Sequence, residues 1–414
     1  MSNGFYKRET CRYCGSKDLH EFLDLGDQPP SNSFLKKDDF AKEKSFPLKL
    51  SFCKSCSLVQ LQDVVSGNDI FDDYYYLSSS SKALVTHFER MTLDISSRFS
   101  LSDDSLVIDI GCNDGITLDA YKNKNFLKVG IEPSNVSKIA KQKGHIVYNE
   151  FFNKDLAKSI RNQYGHADVI TATNVFAHVD DMHGFVEGIP ELISDKGIFV
   201  VELSYLPKMI DSNMFDTVYH EHLCYVALTP LVPFLENFDL EVFDVEEHDM
   251  GASGPAVRFF IKHKQNNLQI NNSVKEMSNY EKKWGINSLK NYIDFSSRVF
   301  KIKDQTNELV KKLISEGNMI GGFGAPAKGN TLLNFFELNE DKIKKISENN
   351  LKKINKYTPG SHIKIISDEE FIKERFDYAL LLAWNYKNFF IKNSDFIKKG
   401  GKFIIPFPEP HIEG

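Results

Sequence analysis

The densest run of chemistry-bearing side chains in this chain is Tyr219-His220-Glu221-His222, a phenol, two imidazoles and a carboxylate in consecutive positions. An imidazole takes up a proton near neutral pH. A neighbouring carboxylate raises its basicity and orients it, and a phenol can steady a developing oxyanion. These residue types suit general acid–base chemistry. They also admit a divalent-cation site, with His178 joining His220, Glu221 and His222, or a hydrogen-bonded structural cluster. A second constellation lies upstream, in Leu106-Val-Ile-Asp-Ile-Gly-Cys-Asn-Asp-Gly115. Here Gly111 and Gly115 let a ligand approach backbone that a Cβ would shield. The next apolar segment, Val129-Gly-Ile-Glu-Pro-Ser134, ends in Glu132, a carboxylate at a strand tip suited to accept both hydroxyls of a ribose.

The elements that must position these groups follow from periodicity. An apolar run too short for a helix, broken by glycines and followed by helical spacing, predicts a buried strand feeding a helix. Strands are expected at Leu106–Ile110, Val129–Ile131, Ile146–Val147, Val169–Thr171, Ile198–Val201, Leu240–Val245 and Ala256–Ile261. Alternation with helices implies a parallel sheet, and the short connection His248–Pro255 implies a closing antiparallel hairpin. Ligands in such sheets bind at the carboxyl ends of the strands, where Asn174, His178 and Tyr219–His222 fall. The Gly-x-x-x-Gly loop departs from the dinucleotide pattern Gly-x-Gly-x-x-Gly and resembles the S-adenosylmethionine loop of class I methyltransferases.

Cys11-Arg-Tyr-Cys14 and Cys53-Lys-Ser-Cys56 form two Cys-x-x-Cys pairs, which can supply four thiolates to a closed structural zinc site. Residues 15–52 between them exceed the usual ribbon spacing, so an elaborated loop, ordered around Pro29-Pro30-Ser-Asn-Ser, must intervene. Disulfides fit less well, because the chain is expected to be cytoplasmic and its thiols reduced. A redox role lacks its βαβ context. Cys112 and Cys224 read as small fillers. The run Phe71-Asp-Asp-Tyr74-Tyr75-Tyr76-Leu-Ser-Ser-Ser-Ser81 does not fit an amphipathic helix. It covers a domain junction or brings phenols to a substrate cleft.

At 414 residues the chain has length for two or three domains, and its 41% hydrophobic and 26% charged residues are ordinary for a globular protein. A net charge of −6 argues against broad nucleic-acid binding. No apolar stretch reaches the roughly 18 residues of a membrane span, and the N-terminal residues lack the apolar core of a signal peptide. After a helical segment whose stripe comprises Trp284, Leu289, Tyr292, Ile293, Val299 and Ile302, a second α/β unit opens at Met319-Ile-Gly-Gly-Phe-Gly-Ala-Pro-Ala-Lys-Gly-Asn-Thr331. A glycine-rich strand-to-helix turn attracts anions, and Lys328 adds a positive charge. Later strands at Lys345–Ser347, Ile363–Ile366, Tyr378–Ala383 and Lys402–Ile405 would complete a sheet of five.

Several segments together resemble the S-adenosylmethionine-dependent sugar C-methyltransferases: the paired Cys-x-x-Cys, Tyr74–Ser79, the Gly111 loop, Ala177–Phe185, Phe215–Tyr225, Gly324–Thr331, Tyr357–His362 and Leu382–Asn385. The resemblance implies an α/β fold in three parts. Residues 1–70 would bind zinc, 71–264 would form the class I methyltransferase Rossmann-like domain, and 265–414 would form a second Rossmann-like domain that helps hold a nucleotide sugar. Asp109, Gly111, Asn113, Gly115, Glu132 and Asn174 would hold the cofactor, with Phe151 or Phe152 near its adenine. Lys328, Asn330, Tyr357 and His362 would face the substrate.

The expected reaction is methylation at C3 of a nucleoside-diphospho-4-ketosugar. His222 would be the general base, oriented by Glu221. Tyr219 with Tyr76 or Tyr74 would steady the oxyanion, and His178 is the secondary base. The expected partner is the small-molecule sugar, with no nucleic acid and no membrane, in a monomer or weak homo-oligomer. Rival readings are a zinc-ribbon methyltransferase of RNA or another substrate class, a nicotinamide-dependent nucleotide-sugar enzyme using Gly321–Gly329, and a non-catalytic sugar-binding protein. The nicotinamide reading lacks a ribose-binding acid at the usual spacing of about 20 residues after that loop.

Overall fold

A computed structural model describes residues 4–66, 70, 77–123, 125–248 and 254–414. Tyr74 and Tyr76 lie outside the described residues.

The N-terminal module contains β1 (Phe5–Lys7), β2 (Leu19–Gln28), β3 (Phe46–Cys53), β4 (Val59–Leu61) and β5 (Asp63–Val65). β1 pairs antiparallel with β5, and β2, β3 and β4 form an antiparallel sheet. Each Cys-x-x-Cys is wound into a tight turn. Gly15 N–H donates to Cys11 O and Ser57 N–H to Cys53 O, and both Gly15 and Ser57 adopt φ of 69°.

The middle sheet consists of β6 (Leu106–Ile110), β7 (Leu127–Ile131), β8 (Ile146–Tyr148), β9 (Ala167–Thr173), β10 (Ile193–Ser204), β12 (Leu240–His248) and β13 (Ala256–His263). Its order is β12-β13-β10-β9-β6-β7-β8, parallel except for β13, which runs antiparallel to both neighbours. All five residues of β6 are buried because both faces are covered. Side chains alternate across a strand. Val107, Val169 and Val200 therefore pack with Leu84, Phe88 and Ile95 of helix Lys82–Arg98. Ile108, Ile170 and Val201 join the opposite layer with helices Lys154–Tyr164 and Met182–Leu192.

Strand β11 (Cys224–Tyr225) leaves this sheet's sequence region to pair with β4, Cys224 opposite Gln60. This crossover pins the preceding Tyr219–His222 segment against the N-terminal module.

The C-terminal sheet contains β14 (Ile320–Phe323), β15 (Ile346–Glu348), β16 (Ile365–Ser367), β17 (Tyr378–Leu381), β18 (Lys402–Ile405) and β19 (His411–Glu413), in the order β16-β15-β14-β17-β18-β19. It has six strands, not the five expected. β19 is three residues of His-Ile-Glu, too short and polar to register as an apolar run. Helices Asn272–Trp284 and Leu289–Ser315 link the two sheets. The buried stripe of the longer helix runs through Tyr292, Phe295, Val299 and Ile302, whereas Ile293 is exposed one position off it. Tyr292 packs against Phe22 and Phe52, fastening this helix to the N-terminal sheet.

Candidate active site

The carboxyl ends of both Rossmann-like sheets open into one cavity of about 1370 Å³. On the β6 side, Gly111 has φ of 71°, and a Cβ there would lie 2.1 Å from Val175 Cγ2, so glycine is required by the neighbouring chain as well as by the backbone. The corresponding Cβ at Gly115 would meet the His145 ring at 2.9 Å rather than a ligand. Glu132 follows β7. Its Oε2 accepts from Asn113 N–H at 3.0 Å and its Oε1 from Ser134 N–H at 2.8 Å, leaving the carboxylate fixed at the cavity wall.

Asn113, Asn174, Phe151 and Phe152 line the same wall. Phe151 is open to solvent, and Phe152 is buried edge-on to Phe185. Asp109 and Gly115 are not among the lining residues. Asp109 sits beneath the loop, accepting from the Thr171 hydroxyl at 2.6 Å, and burial pushes its carboxyl up to about 7. The two support the loop instead of facing the cavity.

Tyr219, His222 and His178 stack along the cavity. The Tyr219 and His222 rings are 4.0 Å apart, and those of His222 and His178 are 5.0 Å apart. His222 Nδ1 lies 2.7 Å from the carbonyl of Thr217. A carbonyl only accepts, so Nδ1 carries the proton and Nε2 keeps its lone pair. Burial holds the His222 imidazole down at about 4 and pushes His178 well below its ordinary value, with His222 adding to the effect. Both rings are therefore neutral at pH 7.

Glu221 does not orient His222. Its Oε1 accepts from Asn32 Nδ2 at 2.6 Å, and the Thr217 carbonyl does the orienting. Tyr219–His222 is a tight turn, closed by His222 N–H donating to Tyr219 O at 2.8 Å, in which the carboxylate next in sequence is not next in space. His220 likewise turns to Pro47 O, 3.1 Å away. Among the described residues, the one cluster suited to a metal is the four-cysteine group. Asn32 carries no motif, and only the ordered Pro29–Ser33 loop hinted at it.

On the β14 side, Gly324 (φ 79°) turns the chain into helix Ala327–Phe335. Lys328 is buried at the cavity wall. Its Nζ has no hydrogen-bond partner among the described residues and lies 3.9 Å above the Trp384 ring. Trp384 Nε1 donates to Asp216 Oδ2 at 2.6 Å. Burial lowers Lys328 to about 8 and raises Asp216 to about 6, each partly offset by the other's charge.

Asn330, Tyr357 and His362, expected at the substrate, do not line the cavity. Asn330 Nδ2 donates to Ser31 O at 2.7 Å, Tyr357 bridges to Leu35, and His362 pairs with Glu43 at 2.7 Å while stacking on Phe40. All three join the C-terminal domain to the N-terminal module. Asn330 and His362 bond through their side chains there and Tyr357 through its backbone, a placement that local sequence could not reveal.

Cys11, Cys14, Cys53 and Cys56 bring four sulfurs within 4.8 Å of one another, with Cys11–Cys56 at 3.4 Å and Cys14–Cys53 at 3.6 Å. Zinc–sulfur bonds of about 2.3 Å imply tetrahedral edges of about 3.8 Å, so the group fits zinc with no open position.

Residues 11–71 match the family model of a zinc binding domain, 86–245 that of a methyltransferase domain, and 252–408 that of a C-methyltransferase C-terminal domain. The C-methyltransferase NovU of Streptomyces niveus is 31% identical over 407 residues, covering 98% of this chain and 96% of the relative. Among solved structures, an S-adenosylmethionine-dependent methyltransferase from Clostridium acetobutylicum is 10% identical, covering 43% of this chain and 92% of that one, with a TM-score of 0.33. The magnesium protoporphyrin IX methyltransferase of Synechocystis is 13% identical over 46% of this chain and 86% of that one, with a TM-score of 0.32.

Proposed function

This chain belongs to the S-adenosylmethionine-dependent sugar C-methyltransferase family, and we propose that its acceptor is a nucleoside-diphospho-4-keto-deoxysugar methylated at C3. It binds S-adenosylmethionine, carries zinc on its four N-terminal cysteines and methylates carbon.

The observation that carries the proposal is the single cavity shared by two Rossmann-like sheets. Its volume exceeds the roughly 300–1,000 Å³ of a one-ligand pocket. Among the described lining residues, the lysines (Lys328, Lys352 and Lys353) all belong to the C-terminal half. A sulfonium cation suits the lysine-free half beside Glu132, and an anionic diphosphate suits the buried ammonium of Lys328 at a helix N-terminus.

Between these ends lie the groups for chemistry. Bound S-adenosylmethionine supplies the electrophilic methyl group. His222 Nε2 removes the C3 proton, the electron pair moves onto the C4 ketone oxygen, and the Tyr219 hydroxyl donates to that oxyanion. Tyr76 or Tyr74 is the second candidate donor, and His178 the alternative base. C3 would then accept the methyl group that S-adenosylmethionine supplies as it leaves its sulfur, and the proton stays on His222.

Incubation with isotopically labelled S-adenosylmethionine and a panel of nucleotide 4-ketosugars, nucleotide-free 4-ketosugars and RNA tests this. The expected result is one labelled methyl group on nucleotide-linked ketosugars, at C3 by mass fragmentation. Equal methylation of nucleotide-free ketones, or label only in RNA, overturns it.

A further inference from the structure

We infer that Glu348 accepts the 3′-hydroxyl of the pentose in the nucleoside diphosphate, so that the C-terminal half reads one hydroxyl where the methyltransferase half reads two. This assignment rests on the nucleotide-sugar reading above.

Glu348 is the last residue of β15, the strand hydrogen-bonded to β14, just as Glu132 follows β7 beside β6. Both line the cavity, and both are pinned by backbone N–H groups of the adjoining loop. Glu348 Oε2 accepts from Ala325 N–H at 3.0 Å, and Oε1 accepts from Asn349 and Asn350 N–H, each at 2.9 Å. Ala325 belongs to the glycine turn that leads into Lys328, and the buried Lys328 ammonium, which has no hydrogen-bond partner among the described residues, independently marks this end of the cavity for an anionic ligand.

A carboxylate offers about four acceptor positions, two per oxygen. Glu132 spends one on each oxygen and keeps one on each, enough for the 2′- and 3′-hydroxyls of a ribose. Glu348 spends both positions of Oε1 and one of Oε2, and keeps one, on the oxygen facing the Ala325 turn. A diphosphate held at Lys328 brings the 3′-hydroxyl nearer to that turn than the 2′-hydroxyl, because C3′ is one bond closer to the 5′ carbon. The carboxylate stands 24 positions after Gly324, close to the 21 from Gly111 to Glu132, and went unread because the expected strand Lys345–Ser347 stops one residue short of it.

Calorimetry on the full chain with UDP, TDP, 3′-deoxyuridine diphosphate and S-adenosylhomocysteine tests the assignment. The wild type is expected to bind UDP and TDP alike and 3′-deoxyuridine diphosphate about tenfold or more weakly, the loss of one hydrogen bond to a charged acceptor. Glu348→Gln should weaken UDP and TDP by a similar factor and leave S-adenosylhomocysteine unchanged, which also reports that the variant is folded. Should Glu348→Gln lose S-adenosylhomocysteine binding too, the wild-type contrast between UDP and 3′-deoxyuridine diphosphate decides. Equal affinity for those two, or a folded Glu348→Gln with wild-type nucleotide affinity, overturns the assignment and leaves the nucleotide-sugar reading standing. Wild-type protein that binds S-adenosylhomocysteine but neither UDP nor TDP overturns both.

Discussion

The two Rossmann-like halves repeat one device and tune it differently. In each, the third, second, first and fourth strands of the sheet lie side by side, β8-β7-β6-β9 in one and β16-β15-β14-β17 in the other. Each places a left-handed glycine after the first strand where the loop of the fourth crowds it. A Cβ at Gly111 would strike Val175, and one at Gly324 would lie 2.9 Å from Ala383 Cβ. Each ends its second strand in a pinned carboxylate. The halves part company in charge: the β6 loop carries no lysine, whereas the helix after the β14 loop buries the Lys328 ammonium with no hydrogen-bond acceptor among the described residues. Strand order thus decides where ligands sit, and loop side chains decide which charge they carry.

If that division holds, damage to the strip between the halves should spare binding on both sides. His222→Asn removes the proposed Nε2 base and keeps the side chain's approximate shape. Turnover should fall by about 10²–10⁴-fold, with exchange of the C3 proton into deuterated solvent falling in parallel and S-adenosylhomocysteine affinity unchanged. Near-normal exchange in this variant would move the base to His178.

Crossed binding measurements come next. Glu132→Gln should weaken S-adenosylhomocysteine, and Lys328→Met should weaken a nucleoside diphosphate, each by about tenfold to a hundredfold with little effect on the other ligand. Loss of both ligands in either variant would show that the halves do not bind independently.

Acid pH supplies a smaller effect. Because burial disfavours the His222 imidazolium, its folded pKa of about 4 lies below the ordinary 6.5. The base therefore stays neutral, and kcat/KM should hold from neutrality down to about pH 5 before falling. The unfolded chain takes up this proton first, so the contribution to stability is complete above pH 6.5 and is lost as pH falls towards 4. An acid limb near 6.5 that also persists in His178 variants would contradict the burial of His222. The least effect is expected from His362→Ala, which removes a partly buried pair with Glu43 away from the cavity. KM for either ligand should stay unchanged, and stability should fall by ~1 kcal/mol or less. A large rise in KM would return His362 to the substrate site.

Local order carried much of this molecule. The apolar run Leu106–Ile110 is a strand with the ends its residues predict, because a run buried on both faces has few alternatives. Cys11, Cys14, Cys53 and Cys56 announced a four-thiolate group because ligand spacing within each pair is itself a local geometry. Gly111 and Glu132 were legible for the same reason: a turn and a strand tip are set by neighbours in sequence.

What tertiary structure alone decided is which polar groups meet. Glu221 adjoins His222 in the chain yet bonds Asn32, nearly two hundred positions away, while the Thr217 carbonyl selects the His222 tautomer. Tyr357 and His362 carry the marks of substrate ligands, and the fold spends them on a domain contact. Glu348 carries no motif and reaches the cavity because β15 pairs with β14. Hydrogen-bond partners across domains depend on how sheets and loops dock, and no periodicity of a single segment encodes that docking.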